Sequence, residues 1–247
     1  AADVAAAMSG MTDDAAAAQA IAQIVGSNLS TTIAGTSSQS TSPYTITPLD
    51  AGYYLVKDQD DTQLGQDDAY TRFILEVVND VTVTPKSGTS TMTKTVDDIN
   101  DSTNEGMQEV NSADYDIGDT VPFTLTGTLP SNYGDYTSYK YIFHDRMLNG
   151  LSFMGNVTVY IDDIFGIPLD SSYYTVVDIG LTDGCTFEVR FDNLKNVPGI
   201  TKDSKIIVRY NALLLGTDEI TSMGYPNFAH LEYSNNPNVG GEGDTGS

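Results

Sequence analysis

Apolar and polar positions alternate along most of this chain. The clearest alternation is in DTVPFTLTGTL (119–129), CTFEVRFD (185–192) and KIIVRYNALLL (205–215). A period of two places one set of side chains on the buried face of a sheet and the other set on its exposed face. Turn residues separate these runs at intervals typical of a β-sandwich. The pattern therefore predicts an all-β protein.

Shorter runs predict the other strands. These runs are YTITPL (44–49), GYYLVKD (52–58), AYTRFILEVVNDVTVTP (69–85), TMTKTVD (91–97), YKYIFHD (139–145), LSFMGNVTVYI (151–161), YYTVVDI (173–179) and HLEYSN (230–235). Helical signals occur in TDDAAAAQAIAQIVGS at 12–27, where Thr12 can cap the first turn and Gly26 ends the run. We expect a short helix there.

A connector of Pro, Gly, Ser and Thr, PKSGTSTM, divides the predicted strands into two groups. We expect a partial N-terminal domain at 1–88 and an Ig-like β-sandwich at 89–237. A Gly- and Asn-rich linker is expected at 238–247. The predicted architecture is a tandem of Ig-like domains in which the first is truncated and carries the short helix. Both ends are typical of a fragment cut from a longer protein.

The charge balance excludes some classes of partner. The 247 residues include 11 Lys and Arg against 34 Asp and Glu, a formal net charge of −23. Such a chain lacks the clustered cations that nucleic acids or anionic membranes require. No apolar run is long enough to span a bilayer. The composition is typical of an extracellular β-protein, yet Cys185 is the only cysteine, so either another covalent crosslink or a sufficient core is expected in place of a disulfide.

Three polar residues continue apolar faces of predicted strands. Lys94 shares its face with Met92 and Val96, Asp145 follows the inward set of YKYIFHD, and Asn235 follows that of HLEYSN. Burying such groups costs free energy unless they are paired. One interpretation is an ordinary buried ion pair with an amide neighbour, or a lysine that reaches water.

A second interpretation is a self-crosslinking site. Desolvation favours the neutral amine of Lys94 and the protonated acid of Asp145. An amine held beside the Asn235 amide can form a new amide and release ammonia, with the carboxylic acid moving the protons. Asn236 is the rival amide and Glu188 the rival acid. Strand alternation favours Asn235 and Asp145 over them.

Several segments, in order, resemble the backbone subunits, or major pilins, of Gram-positive sortase-assembled pili. They are LDAGYYLVKD, VTVTPK followed by TKTVDD, DIGDTVPFTLTGTLP, YKYIFHDRMLNGLSF and LEYSNNPN, within residues 43–238. The resemblance implies an isopeptide bond between Lys94 and Asn235, with Asp145 as the proton shuttle. Lys86, after Val-x-Val-x-Pro, is similar to the lysine that accepts the sortase-bound partner. Val77 and Thr84 depart from that motif, which often has Trp and Tyr there.

The resemblance implies a structural shaft subunit of an extracellular, cell-wall-anchored pilus, and a single-turnover self-crosslink rather than an enzyme. The implied partners are other copies of the pilin, a pilin-specific sortase and host surface ligands. The alternatives are an adhesin module that binds host matrix or glycan and a carbohydrate-binding accessory domain. The sequence predicts no cofactor. It also predicts no metal, because His144 and His230 lie on different strands without ligand spacing.

Overall fold

The computed structural model describes residues 33–37, 44–59, 62, 69–83, 88–98, 108–216 and 224–237, and these form β-strands and short 3₁₀ turns. The all-β prediction is confirmed. The strands are β1 Gly52–Lys57, β2 Arg72–Val77, β3 Met92–Asp98, β4 Gln108–Val110, β5 Thr120–Thr128, β6 Tyr141–Met147, β7 Leu151–Phe153, β8 Thr158–Ile161, β9 Thr175–Val177, β10 Phe187–Phe191, β11 Lys205–Leu214 and β12 Asn227–Tyr233. The 3₁₀ turns are Tyr133–Asp135, Ser171–Tyr173 and Leu194–Asn196.

The predicted helix at 12–27 and the acceptor lysine Lys86 lie outside the described residues. Among the residues that are described, no helix has the length and apolarity needed to cross a membrane.

Strands β1 and β2 form an antiparallel hairpin, and the later strands form a sandwich of two sheets. One sheet has the order β12-β6-β10-β9. The other has the order β4-β3-β5-β11-β7, with β8 also paired to β11. Strand β3 opens the sandwich in one sheet, and β12 closes it at the edge of the other.

The core lies between the two sheets. Strand β11 contributes Ile206, Val208 and Tyr210, and these buried residues alternate with more exposed positions. Strands β6 and β10 contribute aromatic residues such as Phe143 and Phe187 from the opposite sheet. Successive side chains of each strand point to opposite faces of its sheet, so one set forms this core. Some outward positions of these strands are buried as well, namely Ile142, His144, Glu188 and Ile207.

Strand boundaries differ from the predicted ones at several places. The run at 44–49 forms no strand, in keeping with the missing backbone donor of Pro48. The run at 69–85 ends as a strand at Val77, and that at 151–161 divides into β7 and β8. Strand β4 was not predicted. Strand β12 begins at Asn227, three residues before the predicted start, and this difference affects the site described below.

The chain leading into β2 packs against one end of the sandwich. The backbone N–H of Tyr70 donates to the carbonyl oxygen of Asn235 over 2.7 Å. The Arg72 guanidinium donates to the backbone oxygen of Asp135 over 2.9 Å. Tyr70 and Arg72 are both buried. Asn235, two residues after the last strand, is therefore held by the segment that leads into β2.

Gly127 permits the two sheets to approach closely near Lys94. It faces inward on β5, opposite Met92 of β3. A Cβ atom at this position would overlap the Tyr141 hydroxyl and lie 2.9 Å from Cζ of Phe143. Both aromatic side chains are buried and cannot move freely.

We therefore expect Gly127→Ala to lower the free energy of unfolding by about 1–3 kcal/mol through overpacking. Chemical denaturation followed by fluorescence measures the change. The control is Thr126→Ala on the outer face of the same strand, with an expected effect of about 0.5 kcal/mol or less. Equal effects of the two substitutions would contradict the close approach.

Candidate functional site

A buried ion pair joins the two sheets. Lys94 projects inward from β3, where it is paired with Leu125 of β5. Its ammonium donates to Oδ2 of Asp145, on β6 of the opposite sheet, over 2.6 Å. The Lys94 side chain is 14% exposed and that of Asp145 is 0% exposed. The structure thus brings together the lysine and the acid that the sequence singles out.

Aromatic rings surround the pair. The Lys94 ammonium lies 5.3 Å from the ring centre of Phe123 and 5.7 Å from that of Tyr210. These two rings stack on one another. The Tyr210 hydroxyl donates to the same Asp145 oxygen over 2.5 Å. The rings exclude water and stabilise a cation through their π faces, and the hydroxyl fixes the orientation of the carboxylate.

Burial shifts the pKa values of both members toward their neutral forms. Desolvation lowers the pKa of Lys94 to about 8, although Asp145 acts in the opposite direction. Desolvation raises the pKa of Asp145, against the lowering effects of Lys94 and Tyr210. The two shifts bring the groups closer in proton affinity. Transfer of a proton from ammonium to carboxylate therefore costs less here than in water.

Asn227 is the side-chain amide at this site. Its Nδ2 donates to the Tyr210 hydroxyl over 2.9 Å, and that hydroxyl donates in turn to Asp145. The next residue, Phe228, places its carbonyl oxygen 3.5 Å from the Lys94 ammonium. Neither Oδ1 of Asn227 nor Oδ1 of Asp145 has a hydrogen-bond partner among the described residues, although both atoms are buried. One hydrogen-bonded group therefore contains the amine, the acid and an amide.

The structure does not bring Asn235 to this site. Strand β12 pairs with β6 so that Ala229 lies opposite Asp145 and Tyr233 lies opposite Tyr141. Asn235 is six residues beyond Ala229, which corresponds to about 20 Å along a strand. It is buried at the other end of β6, and its carbonyl oxygen accepts from the Tyr70 backbone. The expected pairing of Lys94 with Asn235 is thus corrected by the strand register, and the correction extends to the rival Asn236.

Alternation alone could not separate the two asparagines. Counting back in twos from Tyr233 gives Leu231, Ala229 and Asn227, so Asn227 and Asn235 share the inward face. The predicted strand begins at His230, so Asn227 lies outside it. A signal was nevertheless present in the sequence, because the alternation of Ala229 to Tyr233 reaches Asn227 when its inward phase is extended back by two residues.

Glu188, the rival acid, lies on the outer face of its sheet. It is paired with His144 of β6 in the strand register, and its side chain bonds to Arg190. The adjacent Phe187 and Val189 face the core and are fully buried. The ranking of Asp145 above Glu188 therefore agrees with the strand geometry.

The lowered pKa of Lys94 can be measured once the neighbouring amide is removed. In a chain with Asn227→Ala, we expect the Lys94 amine to titrate near pH 8 by side-chain NMR. Since its folded pKa lies below the ordinary 10.5, its cost to folding is full below about pH 8 and disappears as the pH rises toward 10.5.

Adding Asp145→Asn should lower the pKa of Lys94 further, because Asp145 favours the charged amine. Lys94→Arg identifies the resonance by removing it. Titration of the Lys94 amine near 10.5 would contradict its desolvation.

Comparisons with known proteins give a structural match only. No protein-family model matches the chain, and no curated protein matches it by sequence. Among solved structures, the full-length major pilin SpaD of Corynebacterium diphtheriae is similar, with a TM-score of 0.50 and 21% identity over 80% of this chain and 46% of that pilin. The T6 backbone pilin of Streptococcus pyogenes has a TM-score of 0.49 and 20% identity, over 79% and 42% of the two chains.

The major pilin BcpA of Bacillus cereus matches with a TM-score of 0.45 and 14% identity, over 80% and 54% of the two chains. This chain spans about half of the length of these pilins. At such identities the likeness concerns the fold, and of these three matches the one with SpaD supports it. The chain therefore has the β-sandwich fold of a major pilin.

Proposed function

We propose that this chain is a structural shaft subunit of a covalently polymerised cell-surface pilus, and that an isopeptide bond between Lys94 and Asn227 stabilises it. The observation that supports the proposal is the buried group of Lys94, Asp145, Tyr210 and Asn227, which holds an amine, an acid and an amide together. Held proximity of this kind replaces a bimolecular encounter and favours reaction between groups that are unreactive in water.

The reaction begins with a proton transfer from Lys94 to Asp145, which leaves a neutral amine and a carboxylic acid. After this net transfer the acid carries its proton on Oδ1, because Oδ2 accepts from Lys94 and Tyr210, and Oδ1 donates the proton to Oδ1 of Asn227 and polarises the amide carbonyl. The Lys94 nitrogen then attacks Cγ of Asn227 and forms the new C–N bond. Asp145 accepts a proton from the attacking nitrogen and returns one to the departing Nδ2. The bond from Cγ to Nδ2 breaks, and one ammonia leaves.

The two buried oxygens without partners fit this scheme. A buried acceptor without a hydrogen bond is uncommon and costs free energy. A single proton shared by Oδ1 of Asp145 and Oδ1 of Asn227 would satisfy both atoms, which lie on neighbouring strands. The aromatic rings keep water from competing for the amine and for the acyl carbon.

The crosslink would tie the first strand of the sandwich to its last strand. Lys94 is on β3 and Asn227 opens β12, and these strands belong to different sheets. By analogy with disulfides, closing the loop from Lys94 to Asn227 stabilises the folded state by about 5 kcal/mol. It would also provide a covalent crosslink within the chain, which a single cysteine cannot provide as a disulfide.

Intact mass spectrometry tests the crosslink directly. We expect the purified chain to be lighter than its sequence mass by one ammonia. Lys94→Ala, Asn227→Ala and Asp145→Ala should each have their full sequence mass, because each removes a reacting or proton-carrying group. They should also have lower melting temperatures.

The matched control is Asn235→Ala, which removes a buried asparagine from the same face of the same chain segment. It should keep the loss of one ammonia. If Asn235→Ala abolished the mass loss and Asn227→Ala did not, the assignment to Asn227 would be refuted. Full sequence mass in the unmodified chain would remove the isopeptide from the proposal.

The link between subunits is assigned to Lys86. The sequence VTVTPK supports this assignment, because a proline is expected to end an extended run and an amine in the Pro/Gly/Ser/Thr connector that follows is expected to reach an acyl-enzyme. The same proposal divides the chain into an N-terminal domain at 1–88, a sandwich at 89–237 and a linker at 238–247, so Lys86 lies at the junction of the two domains. The partners are further copies of the pilin and a pilin-specific sortase. The proposed location is the extracellular, cell-wall-anchored pilus.

Polymerisation by a pilin sortase tests this assignment. We expect Lys86→Arg to abolish the ladder of covalent multimers, because a guanidinium is a poor nucleophile. The exposed Lys202, which pairs with the neighbouring Asp203, provides the control, and Lys202→Arg should leave the ladder intact. An undiminished ladder with Lys86→Arg would favour another acceptor, and no ladder at all would favour the adhesin alternative.

A further inference from the structure

A second cluster of polar residues lies on the outer face of the sheet that contains β6. His144 is at its centre and is next in sequence to Asp145, so the two side chains point to opposite faces. The strand register places Glu188 of β10 on one side of His144 and His230 of β12 on the other. The rings of His144 and His230 stack, with centres 4.3 Å apart.

Three ligand atoms converge at this cluster. Nδ1 of His144 lies 3.0 Å from Oδ2 of Asp183 and 3.2 Å from Oε1 of Glu188. All three atoms lie within 4.8 Å of one another. In a tetrahedral zinc site with normal bond lengths, neighbouring ligand atoms are about 3.3–3.6 Å apart. A small outward movement of these side chains would therefore admit the ion.

Each carboxylate is oriented toward the centre by a bond to its other oxygen. Oδ1 of Asp183 accepts from the backbone N–H of Cys185 over 3.0 Å. Oε2 of Glu188 accepts from the Arg190 guanidinium. The second oxygen of each carboxylate is thus left to face Nδ1 of His144. Bonds of this kind, made outside the metal-binding atoms, hold ligands in place in known metal sites.

His144 is oriented in the same way. Its Nε2 lies 3.0 Å from Oε2 of Glu232, whose other oxygen accepts from Lys140 over 2.6 Å. A histidine that donates its distal N–H to a carboxylate presents the lone pair of its other nitrogen, which is the arrangement common among metal-binding histidines. Here that lone pair would face two carboxylate oxygens.

The approach of two carboxylates to one nitrogen favours a positive charge at the centre. The side chains of His144 and Glu188 are 6% and 4% exposed, so water screens their charges weakly. One proton on Nδ1 can serve two carboxylate oxygens only as a shared, bent hydrogen bond. A divalent cation would instead coordinate Nδ1 of His144 and one oxygen of each carboxylate directly. A cleft of about 380 Å³, lined in part by His144, Asp183 and Glu188, opens beside them and provides access.

We propose that His144, Asp183 and Glu188 bind one zinc ion, with the fourth position open to this cleft. One imidazole and two carboxylates form a ligand set that suits zinc and is less suited to calcium or magnesium, which prefer oxygen alone. Two carboxylates balance the charge of the ion. The site joins β6, β10 and the loop before β10, and it is independent of the proposed crosslink.

The sequence predicts no metal here because its ligands have no recognisable spacing. His144 lies far from Asp183 and Glu188 along the chain, and the five-residue interval between the two carboxylates matches no zinc motif. The site arises from the pairing of β6 with β10 and from the return of the preceding loop over His144.

Calorimetric titration of the tag-free chain, stripped with a chelator, tests the site with zinc chloride as the probe. We expect one zinc ion per chain and a higher melting temperature with zinc. Asp183→Asn should weaken binding about tenfold or more, because it removes an anionic ligand. Asp183 is 30% exposed on a loop, so this variant should fold. The control is Asp192→Asn, which removes the same charge from the lining of the same cleft and should bind zinc normally.

Cobalt provides a second readout that does not depend on stability. Bound in place of zinc, it should give the visible absorption of a tetrahedral nitrogen and oxygen site, and this should disappear in Asp183→Asn. Absence of stoichiometric zinc binding, or equal binding by Asp183→Asn and Asp192→Asn, would overturn the proposal. Lys94→Ala should bind zinc as the unmodified chain does, so this result is separate from that of the crosslink.

Discussion

The pair of Lys94 and Asp145, taken out of water between two sheets, is the interaction around which the inner face of this sandwich is arranged. Removing a charged pair from water costs about as much as the pair regains by attraction, so apolar residues of equal volume would give similar stability. Residues of β5 and β11 nevertheless hold the pair in place. Gly127 lets β5 approach the aromatic residues of β6, and Tyr210 directs its hydroxyl to the carboxylate.

The pleat of one strand gives β6 two different faces. Asp145 lies inside among aromatic rings, where its partner is an amine. His144 lies outside, with carboxylates on three sides and a second imidazole stacked on it. The inner face favours neutral groups because water is absent, whereas the outer face concentrates negative charge. Adjacent residues thus experience opposite electrostatic surroundings across the thickness of a single sheet.

Local pattern was sufficient for the fold class, for most strands, and for the inward positions of Lys94 and Asp145. Those predictions depend on alternation within one strand, which a sequence displays directly. The choice of amide depended on which residues of β12 and β6 are opposite one another, and register between strands is a property of the folded sheet. Asn227 and Asn235 have the same phase, and only the pairing of Ala229 with Asp145 separates them. The His144 cluster was hidden for the same reason.

The start of β3 and the end of β12 lie at the same end of the sandwich, and this position has a mechanical consequence. Ser90, just before β3, contacts Tyr139, just before β6. Strand β12 ends beside the same end of β6, because Tyr233 lies opposite Tyr141. The chain therefore enters and leaves the sandwich at one end. Tension applied there would separate β3 and β12 from their neighbours bond by bond, since it could not load their hydrogen bonds all at once. A covalent tie from Lys94 to Asn227 would stop such peeling at Lys94 in β3 and at the first residue of β12, and the strands between them in sequence would carry no load.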